Sequence, residues 1–495
     1  MSQLDRRTPQ VVAVGLTAML LLAACAGATV NGPAPAATEA GASADSTPGS
    51  SASASVTSEL TSSNGALSVT LTAAETQVPY EDGTRWAMTY NGTSAGPTLR
   101  VRPGDTLTVT LVNDLNEKTN LHTHGLHVSP DGNSDNIFVT VDPGQSKTYV
   151  YEIPQDQAAG TFWYHPHYHG LAAEQVASGL SGALIVEDTV DTAMAATTTD
   201  RILVVTDPPL TTENPWGTSG ESSGSMMDGM GMGGSSGVDM MTQMVGRAGP
   251  RLLTNGQDGI DLADSGGRLE RARIVNATAS SRLILTWTGA SMEQIASEGG
   301  RLAQPLAVDS VSLAPGERTE LALIPGADGG QLLAQKLSNE GSGGPLGDPE
   351  VLARVGADAG TDTSVLPSVL TTDSRDLFAT DVTVEQKRVI TLDGHMNPSI
   401  NGSLFDPNTI NFEAKQGTVE EWVIRNKTPM YHPIHLHAWP FQVEGEEGWQ
   451  DVVEVPPYSE KVIRVTFDDF GGTTVLHCHI LDHEDTGMMS IIKVS

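Results

Sequence analysis

From about Leu60 to Ser495, apolar residues come in short alternating runs separated by Gly, Pro, Asn and Asp. Thr106-Leu107-Thr108-Val109-Thr110-Leu111 is one such run. A period of two marks strands with one buried face, and helical spacing is scarce. The pattern predicts an all-β protein made of β-sandwiches. An internal repeat gives their number. Gly104 to Asn113, Gly267 to Asn276 and Gly417 to Asn426 each run from Gly to Asn through an apolar stretch. Each precedes a turn and a further strand, at Pro143-Gly144, Pro315-Gly316 and Pro456-Pro457. Three similar domains are expected, at about 60–190, 198–357 and 385–495, with a polar linker over 358–384.

The N-terminal end breaks the pattern. Arg6-Arg7 precede an apolar run from Val11 to Leu22, the layout of a signal peptide over 1–24. The run is short for a membrane span. Leu22-Ala23-Ala24-Cys25 resembles a bacterial lipobox, which implies lipidation of Cys25; a plain signal sequence is the alternative. Residues 25–59 are almost all Ala, Ser, Thr, Gly and Pro, and are expected to form a disordered tether. The expected location is outside the cell, held to the outer face of the membrane only by lipid. Arg6-Arg7 leaves both general and twin-arginine export open.

Charge narrows the partners. The chain of 495 residues has 60 acidic against 27 basic residues, a net charge of -33. Phosphate binding needs clustered Lys and Arg, so nucleic acid is not expected as a partner. With Cys25 assigned to lipidation, the other of the 2 cysteines is Cys478, and no disulfide is expected.

Cys478 lies in the densest chemistry of the chain, His477-Cys478-His479-Ile480-Leu481-Asp482-His483-Glu484-Asp485-Thr486-Gly487-Met488. Blue-copper centres take two His and one Cys, with a weak axial Met. Cys478, His483 and Met488 fit three of those positions. The preceding residues read as a strand, so His477 and His479 face one side and Cys478 the other. One segment can then serve two metal centres. His122/His124, His165/His167 and His435/His437 form three more His-x-His pairs. If the outer domains pack together, eight imidazoles converge. His432, three positions before His435, faces the side of Cys478. No histidine falls between Gly170 and Gly394, so the middle domain reads as a spacer.

Together these motifs resemble the multicopper oxidases over nearly the whole mature chain. The resemblance implies three cupredoxin-like Greek-key domains and four copper ions. It implies a mononuclear (type 1) site of His432, Cys478, His483 and Met488. It implies a type 2 site of His122 and His435, and a type 3 pair held by His124, His165, His167, His437, His477 and His479. Cys478 would pass electrons to His477 and His479 for reduction of O2 to water. An axial Met implies a modest potential. Glu484 and Asp135 are candidates for proton delivery by position, and Met430 and Asp485 for a substrate site. Electrons are expected to enter at an exposed edge of His432 or His483. His127 and His169 are expected at the periphery, and His395 as structural.

Between Trp216 and Gly246, Met226, Met227, Met230, Met232, Met240, Met241 and Met244 sit among Gly, Ser and Asp. Thioethers are soft ligands that favour Cu(I). The segment reads as a copper-gathering insertion, and the expected reductant is Cu(I), with phenols or amines as further donors. A laccase acting mainly on phenols and a non-enzymatic copper-storage lipoprotein are the alternatives.

Overall fold

The computed structural model describes residues 58–80, 83–212, 240–262, 269–357, 366–371, 373, 375–394 and 397–495. The leader, Cys25, the tether up to residue 57, Met226 to Met232 and His395 lie outside them. Among the described residues no helix is long and apolar enough to cross a membrane.

Six sheets pair into three sandwiches. In the first, the sheet Gly83–Tyr90, Ala66–Tyr80, Thr106–Asp114, Ser146–Glu152 faces a second one. That second sheet runs Glu59–Thr61, Thr98–Val101, Gly182–Val186, Gly160–His165, His122–His124. The third sandwich pairs a sheet centred on Val419–Asn426 with one in the order Ile410–Ala414, Met489–Val494, Gly472–Cys478, His432–Leu436, Val452–Val455. The middle sandwich has a six-stranded and a five-stranded sheet. Each has its own apolar core, around Leu71 and Leu111, Ile274 and Leu321, and Trp422 and Ile463.

The sequence repeat is a structural one. Thr106–Asp114, Leu269–Asn276 and Val419–Asn426 each pair in parallel with an early strand of their sandwich, Ala66–Tyr80, Thr198–Thr206 and Val384–Asp393, and antiparallel with the strand after the turn. The repeated Asn has a common task. Asn113, Asn276 and Asn426 are buried, and each side-chain amide donates to two or more backbone carbonyls of the loops it ties together. Each side-chain oxygen accepts a nearby backbone N–H, from Leu115, Thr278 and Thr428. An apolar residue there would leave those loop groups unpaired.

Among the described residues four short helices complete the fold: α1 (Ala172–Ala177), α2 (Thr189–Met194), α3 (Met240–Val245) and α4 (Leu481–Asp485). The expected polar linker is partly apolar: Leu366 and Leu370 are buried against Met194, Leu269 and Ile295. Where the middle sandwich meets the first, Arg271, Arg273 and Arg301 are buried with Asp191 and Glu320 in a paired, hydrogen-bonded network. Such pairing is what makes buried charge tolerable.

Candidate metal centre

The four His-x-His pairs meet between the first and third sandwiches. His122 stands opposite His165 in the first, and His435 opposite His477 in the third. The two sets interleave as stacked rings: His122 on His437 at 3.8 Å, and His124 on His435 at 3.7 Å. All eight imidazoles are at most 1 % exposed.

The donor atoms sort into groups. The Nε2 atoms of His167 and His437 each lie 3.0–3.1 Å from Nε2 of His477. His124 Nδ1, His165 Nε2 and His479 Nε2 are buried with no protein partner. His122 Nε2 and His435 Nε2 face each other at 3.4 Å. The remote nitrogens of several rings are engaged: His122 Nδ1 with Asp135 at 3.0 Å, His124 Nε2 with Asp451 at 2.8 Å, His435 Nδ1 with the Asp451 carbonyl at 2.7 Å. Burial, and then neighbouring rings, hold His122, His124, His165, His437 and His479 well below the ordinary histidine range. Neutral rings keep their lone pairs. Lone pairs aimed together inside a dry space, without protons between them, fit imidazole-bound cations.

Behind this cluster, Cys478 points to the opposite face of its strand. Its Sγ lies 3.5 Å from His432 Nδ1 and 3.6 Å from His483 Nδ1. Met488 is buried in the same core, and its carbonyl accepts from the Cys478 N–H at 3.1 Å. Burial pushes the Cys478 thiol up and His483 down to about 4. A thiol, two neutral imidazoles and a thioether form a soft donor set that suits copper. His477 Nδ1 lies 3.1 Å from the Cys478 carbonyl, so the two donor groups are joined by one short stretch of backbone and one hydrogen bond.

Asp135 and Glu484 both reach the cluster. Asp135 accepts from Thr123 N at 2.8 Å as well as engaging His122, and burial pushes it up to about 7. Glu484, on α4, lies 3.1 Å from His477 Nδ1 and 3.3 Å from His167 Nδ1. Neither contact is aligned for a hydrogen bond, which leaves both carboxylate oxygens buried and unpartnered.

Asp485 accepts from Gly170, Ala172 and Ala173 N–H at the start of α1. Met430 is 1 % exposed and packed below the surface. The mononuclear site has no open histidine edge either. Thr428 Oγ1 covers His432 Nε2 at 2.8 Å, and the Met244 carbonyl of α3 accepts from His483 Nε2 at 2.8 Å. Of the remaining histidines, His169 is exposed against Phe405, and His127 bridges the Ala438 carbonyl and Asp469.

Sequence reasoning missed Asp451 and Arg318, and gave Trp163 no contact. Asp451 sits between His124 and His435; Trp163 stacks on His165 at 4.1 Å. The middle sandwich is no mere spacer. Its Arg318 pairs with Asp451, and Gly316 packs so close to His479 that a Cβ would stand 2.8 Å from the ring.

The family profile described as "Multicopper oxidase" matches residues 72–191 and, in a second form, 379–495. A multicopper oxidase of Staphylococcus aureus is 31% identical, over 87% of this chain and 89% of the relative. The structure of a Campylobacter jejuni multicopper oxidase, called a metallo-oxidase, superposes with a TM-score of 0.70 at 26% identity, covering 87% of this chain and 92% of that one. A laccase-like multicopper oxidase of Ochrobactrum sp., with oxidase activity towards lignin model compounds, gives 0.74 at 25% identity, covering 89% and 99%. The chain belongs to the multicopper oxidase family, oxidoreductases that reduce dioxygen.

Proposed function

We propose that this oxidase takes its electrons from Cu(I) outside the cell and so protects the cell from copper. The observation that supports this reading is the seat of α3, which closes the Met-rich segment, on the mononuclear site. Its Met244 carbonyl holds His483, and Arg247 just beyond it forms a bidentate pair with Asp482. A cuprous ion gathered by thioethers of that segment would be delivered beside His483. The Campylobacter jejuni relative is called a metallo-oxidase, which agrees with this substrate.

His432, Cys478, His483 and Met488 would hold one copper ion. His122 and His435 would hold a second. His124, His165 and His479 would hold a third, and His167, His437 and His477 a fourth. Bound copper supplies the one-electron redox chemistry that four-electron reduction of dioxygen requires. The chain supplies the rest. The sandwiches exclude bulk water from the cluster, the strand Gly472–Cys478 links its two donor groups, and Asp135 and Glu484 hold protons next to it. Overall, four Cu(I), one O2 and four protons give four Cu(II) and two waters.

The second reading, a laccase acting mainly on phenols, draws on the Ochrobactrum relative. Oxygen consumption with Cu(I) and with a phenol, in the full chain and in a form lacking 226–239, separates the two. The expected outcome is a loss of at least about tenfold on Cu(I), with phenol oxidation kept or raised. Equal Cu(I) turnover in both forms would sink the cuprous reading.

A further inference from the structure

Arg318 is the one buried cation that touches all three sandwiches at the cluster among the described residues. It opens the middle-sandwich strand Arg318–Ile324. Its Nη1 and Nη2 grip both oxygens of Asp451 in the third sandwich at 2.7 and 2.6 Å. Its Nε donates to the Thr161 carbonyl of the first sandwich at 3.2 Å, and Nη2 donates to the Glu298 carbonyl at 2.9 Å. Glu298 in turn accepts from the Asp451 and Val452 N–H groups, at 2.9 and 2.7 Å. Asp451 is therefore fixed at both its backbone and its side chain by the middle sandwich. The fold also reserves the space: a Cβ on Gly125 would stand 2.3 Å from Arg318 Nη2.

The same Asp451 Oδ1 that Arg318 holds lies 2.8 Å from His124 Nε2. A carboxylate without a proton only accepts, so His124 must carry its proton on Nε2. That leaves the lone pair on Nδ1, the buried atom with no protein partner. The Asp451 carbonyl does the same for His435, whose Nδ1 donates to it and whose Nε2 turns to His122. One residue thus sets the tautomer of a ring in each of two donor groups.

We propose that Arg318 is a positioning residue for the cluster. By holding Asp451, it fixes the tautomers and orientations of His124 and His435. The middle sandwich thereby contributes to the cluster without a histidine of its own. This rests on the copper assignment above, and the two fail differently. If the unmodified protein takes up no copper, the assignment falls; if it loads fully and the variants below do too, only the role of Arg318 falls.

The test compares R318Q, R318K and R282Q after copper loading. R282Q breaks the Arg282–Glu454 pair between the same two sandwiches, away from the cluster. Copper per chain, the blue absorbance of the Cys478 site and the electron paramagnetic resonance of the remaining ions are measured together. R318Q is expected to keep the blue absorbance, bind fewer ions per chain and lose or alter the resonance of the His122/His435 ion. R318K should restore part of this, and R282Q should match the parent. Outer-shell partners of ligating histidines typically matter by about 10- to 100-fold in metal affinity, which sets the expected loss. If R318Q does not fold, D451N gives the same reading, because its amide can donate where the carboxylate only accepts. Full copper content with an unchanged resonance in the folded variants, or an equal defect in R282Q, would overturn the proposal.

Discussion

Glu484 has two carboxylate oxygens with no hydrogen-bond partner, buried between His167 and His477. Burial raises its carboxyl above the ordinary range, so it can hold a proton beside the cluster. Glu484→Gln keeps the shape and removes the titrating group. It should lower oxygen consumption by about 10²-fold, the usual scale for a positioned acid, and leave the blue absorbance intact. Asp135→Asn should act in the same direction, measured in the same assay; parental turnover in both variants would remove these carboxylates from proton supply. Residue identity was legible wherever chemistry repeats in sequence. Ten histidines and one cysteine announce themselves by their spacing and by strand alternation. Asp451 does not: it is a single acid 327 positions from His124, joined to it only by packing. Met430 and Asp485 are the converse case. Each is a neighbour of a ligand along the chain, but the core and the start of α1 claim their side chains.

At the scale of elements, the turn after each repeated strand can be compared across the three sandwiches. The N–H of Asn113, Asn276 and Asn426 donates to the carbonyl of Gln145, Glu317 and Ser459, which aligns Gly144, Gly316 and Tyr458. All three have positive φ, at 71°, 88° and 53°. Only the third bears a side chain there, and Tyr458 is 72 % exposed, so no packing offsets the strain. The left-handed conformation costs about 1–2 kcal/mol for a non-glycine residue, and glycine returns about half of that as chain entropy. Tyr458→Gly should therefore raise the melting temperature by roughly 1–3 °C; a fall would show that the tyrosine makes a contact worth more than its strain. Strands and their repeat were legible because periodicity two and turn residues are local signals. Helices α3 and α4 were not. Each is too short to show an apolar stripe, and each exists because of what it packs on. Their pairing through Arg247 and Asp482 is what closes the edge of His483 expected to be open.

On the scale of the whole molecule, contacts between sandwiches carry the chemistry. His127 of the first sandwich donates from both ring nitrogens to groups of the third, the Ala438 carbonyl and Asp469 Oδ2, each at 2.7 Å. Burial works against the charged ring, but the hydrogen bond to Asp469 prevails and its pKa is raised. Asp469 is also buried in part, and His127 holds it below the ordinary carboxylate range. A raised histidine stabilises fully below its unfolded value of about 6.5 and loses that contribution as pH rises through its folded value. A depressed carboxylate loses its contribution as pH falls. The melting-temperature gap between the parent and His127→Gln should thus be widest below about pH 6.5, close as pH rises through the raised folded value, and shrink in salt because Asp469 is 42% exposed. A gap that widened with pH would contradict the charged bridge. The number of sandwiches was legible from the repeat. The meeting of the outer two was legible from their paired histidines, but the seat of the middle one was not, because Arg318, Gly316 and the arginine network carry no local signal of what they meet.

The mononuclear donors His432, Cys478, His483 and Met488 all come from the third sandwich, whereas the eight-ring cluster draws on both outer sandwiches, from His122 to His479. The mononuclear set therefore needs one folded sandwich, and the full cluster needs two docked ones. A blue colour in a preparation would then vouch for the third sandwich alone, and the copper content per chain for the docking of the outer two.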